Sequence, residues 1–64
     1  MNIKLNGENF QINQNEIMIE KLLKDQSIPI DHIVVELNGD ILSDYQVKIK
    51  EGDSIEVIRM VGGG

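Results

Sequence analysis

The sequence predicts an α+β fold, in which a mixed β-sheet of four to five strands carries one helix packed across one face. Three observations predict it. First, apolar and polar residues alternate at the start, after the middle and at the end of the chain, which indicates strands. Second, one stretch between them has the period of a helix. Third, no second stretch with that period follows. Strands with a single helix do not build a repeated βαβ fold, so we expect two layers around one core.

The chain opens with a predicted β-hairpin. The segment Met1–Leu5 has its apolar residues at odd positions, and Phe10 and Ile12 continue the alternation after a break. Between the two runs lies Asn6-Gly7, a dipeptide that tolerates the positive φ angles of a two-residue turn. The first two strands are therefore expected to be antiparallel neighbours.

The period changes after the hairpin. Within Asn15–Lys24, the residues Ile19, Leu22 and Leu23 share one face of a helix. Asn15 is the predicted N-cap, and Pro29 ends the segment because proline cannot continue a helix. We expect Ile28 to pack under the helix end.

Strand patterns return in the second half of the chain. Ile33–Leu37 is followed by a second Asn-Gly turn and the short run Ile41-Leu42, whereas residues 43–50 are predicted to form an irregular connection. Ser54–Val61 is the last and longest strand. A right-handed crossover is expected to bring the strand after the helix beside the first strand. This order is that of the β-grasp arrangement, in which the last strand is central and its end projects from the rim of the sheet.

The composition limits the function. The chain has 64 residues, so one domain is expected, and its net charge is −5. An acidic chain is unsuited to nucleic acid or an anionic membrane surface. With no cysteine and a single histidine, we expect no metal site and no bound cofactor. No apolar run reaches the length of a membrane span and no signal peptide is recognised, so a cytoplasmic location is expected.

No constellation of catalytic side chains is recognised, but the C-terminal sequence Val61-Gly62-Gly63-Gly64 has a chemistry of its own. We expect residues 1–60 to form the domain and residues 61–64 a flexible glycine tail. Glycine has no Cβ, so such a tail is narrow enough for a tight channel. A terminal carboxylate becomes an acyl donor once it is joined to AMP, and a sulfur nucleophile can then attack it.

The whole chain resembles one family. The two Asn-Gly turns, the helix motif Ile19-x-x-Leu22-Leu23, the strand beginning Glu51-Gly52-Asp53 and the ending Val61–Gly64 are similar to those of the sulfur carrier proteins of thiamine biosynthesis, the ThiS family. The strand that runs into terminal glycines is the most specific part of this resemblance.

The resemblance implies a carrier rather than an enzyme. A separate adenylating enzyme, related to ubiquitin-activating enzymes, would use ATP to adenylate the carboxylate of Gly64. A persulfide supplied through a cysteine desulfurase would convert it to a thiocarboxylate, which would give its sulfur to thiazole synthase. Gly63 and Gly62 would complete the tail.

Three alternatives stay open. The small subunit of molybdopterin synthase shares the fold, the tail and the thiocarboxylate chemistry. A protein modifier joined to lysines has the same fold, and a binding module with an inert tail would have no acyl chemistry at all.

A surface prediction follows from strand alternation. If Ile55 and Val57 face the helix, Ile58 and Met60 face away from it, and Val34 lies on the same outer face. Three apolar side chains near the base of the tail would form a partner-binding patch. The competing interpretation is scattered exposed apolar residues, which are common on protein surfaces.

Overall fold

A computed structural model of the protein describes residues 1–60. The chain forms, in order, strands β1 (Asn2–Leu5), β2 (Glu8–Gln11) and β3 (Glu16–Met18), helix α1 (Ile19–Asp25), and strands β4 (Ile33–Leu37), β5 (Asp40–Ile41), β6 (Lys48–Lys50) and β7 (Ser54–Arg59). The predicted α+β class is confirmed.

The main sheet has five strands in the order β2-β1-β7-β4-β5. β7 is parallel to β1 and antiparallel to β4, so the last strand is central, as predicted. The expectation that the strand after the helix lies beside the first strand is wrong. β4 pairs with β7 instead, and β7 separates it from β1.

Both Asn-Gly dipeptides form the predicted turns. Asn6 and Gly7 have φ angles of 53° and 83°, and Asn38 and Gly39 have φ angles of 52° and 90°. Two successive positive φ angles define the turn whose twist matches that of the flanking strands. The first turn joins β1 to β2 and the second joins β4 to β5.

The predicted start of the helix at Asn15 is wrong, as is the prediction of an irregular connection throughout residues 43–50. Residues Glu16–Met18 form β3, which pairs with β6 in a separate two-stranded sheet. The helix begins at Ile19, and the extended residue before it, Met18, makes no side-chain cap.

Backbone carbonyls of the later connection replace the missing cap. The N–H of Ile19 donates to the carbonyl of Val47 at 2.9 Å, and the N–H of Glu20 donates to that of Tyr45 at 3.0 Å. The first N–H groups of a helix have no partner within the helix and need one from elsewhere. Residues 45 and 47, in the segment predicted to be irregular, therefore determine where the helix begins.

The other end of the helix is closed by its own backbone. Ser27, with a φ angle of 58°, turns the chain, and its N–H donates to the carbonyl of Lys24. The N–H of Ile28 then donates to the carbonyl of Leu23 at 2.8 Å. These two bonds define a Schellman motif. Ile28 is partly buried against the core, as predicted.

The core lies between the main sheet and the helix, with the small sheet at its margin. It contains the predicted face of the helix, and it also takes one residue from each strand of the small sheet. Its buried members are Ile3, Ile17, Ile19, Leu22, Leu23, Ile33, Val35, Ile49 and Ile55. The core members that belong to the main sheet come from one of its faces, and no element within residues 1–60 covers the other face.

Candidate functional site at the end of the last strand

The site begins where β7 leaves the sheet. Five residues of β7 pair with β4, from Ile55 opposite Leu37 to Arg59 opposite Ile33. One residue further, the N–H of Met60 donates to the carbonyl of His32 at 2.7 Å. The backbone is therefore held to the sheet as far as residue 60, and the chain continues from there into the predicted tail.

On its other side β7 is supported over a shorter length. β1 pairs with it only as far as Leu5, opposite Ile55. Beyond that point Asn6 provides the contact, because its N–H donates to the carbonyl of Ile55 and its Oδ1 accepts the N–H of Val57, each at 2.8 Å. The end of β7 thus extends past β1 along β4 alone.

The predicted carrier residues Gly62, Gly63 and Gly64 lie outside the described residues, as does Val61. The division of the chain at residue 60 and the role of Gly64 stay predictions. The described structure places the last residue before them, Met60, at the end of the central strand.

The outward orientation of the predicted patch is confirmed. Val34 and Ile58 lie directly opposite each other across β4 and β7. Val35, which follows Val34, and Ile55, three positions before Ile58, are fully buried on the helix side. Ile58 and Met60 are 43% and 55% exposed, and Val34 is partly buried. We call Val34, Ile58 and Met60 the sheet patch. Its role in binding a partner stays a prediction.

Two further features of this outer face were missed from the sequence. Glu36 and Glu56 lie directly opposite each other, one position along from Val34 and Ile58 on the same face. Ile41 of β5 lies opposite Glu36 and is 71% exposed. Strand alternation predicts that each of these side chains faces outward. Their proximity depends on the register between strands, which the sequence does not show.

An open cleft of about 390 Å³ lies beside the end of β7. It is lined by Pro29, Asp31, His32, Arg59 and Met60. Met60 therefore borders the cleft as well as belonging to the sheet patch. His32 reaches this position through a positive φ angle of 61°.

Within residues 1–60 no three His, Cys, Asp or Glu side chains are grouped so that they could hold a metal ion. No helix in the same residues is long and apolar enough to cross a membrane.

Within residues 1–60, the five-stranded mixed sheet, the one helix across it and the central last strand define a ubiquitin-like β-grasp protein, and the sequence continues from the last strand to glycines. The model of the ThiS family matches residues 3–64. The chain therefore belongs to the ThiS family of small sulfur carrier proteins of thiamine biosynthesis.

A solved structure supports this assignment. The chain is similar to the thiamine biosynthesis protein ThiS from Geobacter metallireducens, with a TM-score of 0.88 and 28% sequence identity over 100% of both chains. No curated protein sequence matches the chain.

Proposed function

We propose that this chain carries sulfur as a thiocarboxylate on Gly64 for the formation of the thiazole ring of thiamine. The observation that carries the proposal is the placement of the central strand, which is bonded to the sheet up to Met60 and leads directly into Val61-Gly62-Gly63-Gly64. A stable domain can then remain outside a partner enzyme while the partner binds the terminal residues.

The proposed chemistry takes place in three steps at the terminal carboxylate of Gly64. In the first, a carboxylate oxygen attacks the α-phosphorus of ATP, so that an acyl-adenylate forms and pyrophosphate leaves. In the second, the outer sulfur of a persulfide attacks the carbonyl carbon and AMP leaves. A thiol then cleaves the sulfur–sulfur bond, which leaves the thiocarboxylate on the carrier and a disulfide on the thiol partners.

In this proposal the catalytic groups belong to the partners. An adenylating enzyme related to ubiquitin-activating enzymes supplies the ATP site, a cysteine desulfurase supplies the sulfur, and thiazole synthase receives it. The carrier contributes its terminal carboxylate and a surface for binding, for which the sheet patch is the proposed site. We keep the cytoplasmic location as a prediction.

The family match favours thiamine over molybdopterin biosynthesis. The matched solved structure is likewise described as a thiamine biosynthesis protein. Neither observation favours a protein modifier or an inert-tailed binding module, so these alternatives are not proposed.

The test is intact mass spectrometry of the carrier after incubation with ATP, the adenylating enzyme of the same organism and a persulfide source. We expect the mass change of one oxygen replaced by sulfur. Two control variants separate the tail from the domain: one lacks Gly64, and the other carries one additional alanine after it. Both are expected to stay unmodified, and an unmodified wild-type carrier beside an active adenylating enzyme would refute the proposal.

A further inference from the structure

The two Asn-Gly turns are closely matched in sequence and in backbone. Their tetrapeptides are Leu-Asn-Gly-Glu at residues 5–8 and Leu-Asn-Gly-Asp at residues 37–40. Asn6 and Asn38 have nearly the same positive φ angle, and the two central residues of each turn are exposed. A Cβ added at Gly7 or Gly39 would have no atom within 4 Å, so both turns have room for a reaction. Any difference in reactivity between the turns must therefore come from the hydrogen bonds of the asparagine side chains.

An asparagine followed by glycine can lose its side-chain amide without an enzyme. The backbone nitrogen of the glycine attacks Cγ of the asparagine, the bond from Cγ to Nδ2 breaks, and the side-chain nitrogen leaves as ammonia with the proton of the glycine N–H. The product is a five-membered succinimide. Water then cleaves one of its two C–N bonds, which gives aspartate or isoaspartate. Glycine permits the attack because it has no Cβ to obstruct it.

The side-chain amide of Asn38 is held at both ends. Its Oδ1 accepts the N–H of Ser54, and its Nδ2 donates to Oδ1 of Asp53. Asp53 is itself fixed, because its Oδ2 accepts the N–H of Lys50 at 3.0 Å. Both bonds of the amide must break before Cγ can meet the nitrogen of Gly39. The carboxylate of Asp53 also disfavours the negative charge that develops on this nitrogen as it loses its proton. The fold therefore protects Asn38 from deamidation.

The side-chain amide of Asn6 is held at one end. Its Oδ1 accepts the N–H of Val57, whereas its Nδ2 donates to no acceptor within residues 1–60. The reactive geometry of Asn6 thus requires the loss of one neutral hydrogen bond. That of Asn38 requires the loss of a further bond to a carboxylate, and bonds to charged groups are the stronger kind. Asn6 is therefore the more reactive of the two.

We propose that Asn6 is a site of spontaneous covalent modification in the folded protein, and that isoaspartate formed there releases the end of β7 from its support on the β1 side. The reaction consumes water and liberates ammonia, and it needs no cofactor. Since no partner enzyme takes part, the modification does not depend on the proposed function.

Val57 depends on Asn6 for the hydrogen bond of its N–H. The N–H of Asn38 donates to the carbonyl of Ser54, and hydrogen-bonded positions alternate along an antiparallel ladder, so Val57 is not in a position to bond to β4. Its N–H points toward β1, where Oδ1 of Asn6 accepts it. Isoaspartate at position 6 adds one carbon atom to the main chain of the turn and moves the carboxylate away from Val57. Aspartate keeps both the length of the main chain and an acceptor.

The test measures deamidation at the two asparagines of the wild-type protein, kept folded at neutral pH and, in parallel, unfolded in concentrated urea. Trypsin places them in separate peptides, residues 5–21 and residues 25–48. Mass spectrometry follows the replacement of NH2 by OH, and methylation by an isoaspartyl methyltransferase with S-adenosylmethionine identifies isoaspartate. In the folded protein Asn6 should react about tenfold faster than Asn38, the factor expected for one charge-assisted hydrogen bond. In urea the two rates should be equal, because the local sequences are almost the same.

One substitution should remove the protection of Asn38. Asp53→Ala frees Nδ2 of Asn38, so the rate at Asn38 should rise about tenfold while the rate at Asn6 stays the same. Asp31→Ala is the control, because Asp31 is an exposed aspartate outside both turns and should change neither rate. Equal rates in the folded wild type, a faster reaction at Asn38 or no reaction at Asn6 would overturn the proposal. A rise at both asparagines in Asp53→Ala would also overturn it, because the reaction would then require unfolding.

Hydrogen exchange at the N–H of Val57 tests the release of β7. The isoaspartate form is isolated from aged protein and compared with the Asn6→Asp variant, which has the same charge and an unaltered main chain. Exchange at Val57 should be about tenfold faster in the isoaspartate form, because its N–H has lost its acceptor. Equal exchange in the two proteins would show that the end of β7 is not released and would overturn that part of the proposal.

Discussion

Asn6 and Asn38, the first residues of the two Asn-Gly turns, hold the last strand from opposite sides. Oδ1 of Asn6 accepts the N–H of Val57 at 2.8 Å, and Oδ1 of Asn38 accepts the N–H of Ser54 at 2.9 Å. The turns thus do more than reverse the chain. Each one satisfies a backbone donor of the strand that leads to the proposed carrier end.

The two asparagines should respond differently to aspartate. Asn6→Asp keeps an acceptor for Val57 and a residue suited to the turn, so the free energy of unfolding should change by less than about 0.5 kcal/mol. Asn38 also donates from Nδ2 to Asp53 at 3.1 Å. In Asn38→Asp this donor is replaced by a like charge, and a loss of about 1–2 kcal/mol is expected.

Urea unfolding at low salt measures this difference. Added salt should recover part of the loss in Asn38→Asp, because it screens the repulsion between two exposed carboxylates. Equal effects at the two positions would contradict the roles assigned to the side chains.

The small sheet should be essential for stability. Ile49 of β6 is completely buried, so Ile49→Ala is expected to cost about 2–5 kcal/mol. A domain of this size has roughly 3–10 kcal/mol in total, so the milder Ile49→Val, at about 1 kcal/mol, provides a variant that stays folded. Ile41→Ala is the control, since Ile41 is 71% exposed and should change stability by less than about 0.5 kcal/mol. Similar urea midpoints for the position 49 and position 41 variants would show that β6 does not contribute to the core.

The sheet patch should affect binding more than folding. Ile58→Thr keeps a β-branched side chain in the strand but removes apolar area, so the carrier KM in adenylation should rise about fivefold. Ile30→Thr is the matched control, because Ile30 is 51% exposed and precedes β4. Kinetics and thermal unfolding of both variants check this prediction. A parallel rise in KM for Ile30→Thr would argue against a localised contact.

Ser27 offers a stabilising substitution. Its φ angle of 58° lies in the left-handed region, where glycine is the preferred residue after a helix. Ser27→Gly should relieve this strain and, after the entropy cost of glycine, gain about 0.5–1 kcal/mol. Ser43→Gly has no such strain to relieve and should be neutral or destabilising. Thermal unfolding distinguishes them, and a Tm of Ser27→Gly below that of the wild type would contradict the assignment.

The turns and the helix face were predictable because each depends on residues close together in the chain. Asn6-Gly7 and Asn38-Gly39 impose positive φ angles, and Leu22 and Leu23 share a face through the helical period. The family resemblance, carried by these same local motifs and the terminal glycines, is confirmed by the match over residues 3–64.

The start of the helix was not predictable in the same way. Ile17 and Ile19 are both buried, and a spacing of two followed by the helical spacing of Leu22 fits either a strand or a helix. Residues 16–18 form a strand because they pair with β6, which lies about thirty residues further along the chain. β6 itself has one apolar residue, Ile49, so its sequence gives little sign of a strand. The pairing of Glu36 with Glu56 was missed for the same reason, because the sequence of neither strand determines the register between them.

The position of β7 has a consequence for synthesis. β7 joins β1 to β4 in the main sheet, so a ribosome-bound chain interrupted before residue 54 has two hairpins that no strand joins and a core that lacks Ile55. Formation of the complete sheet therefore requires the strand that is made just before the glycines. The outer face formed by Val34 and Ile58 exists only once this strand has left the ribosome and paired with β4.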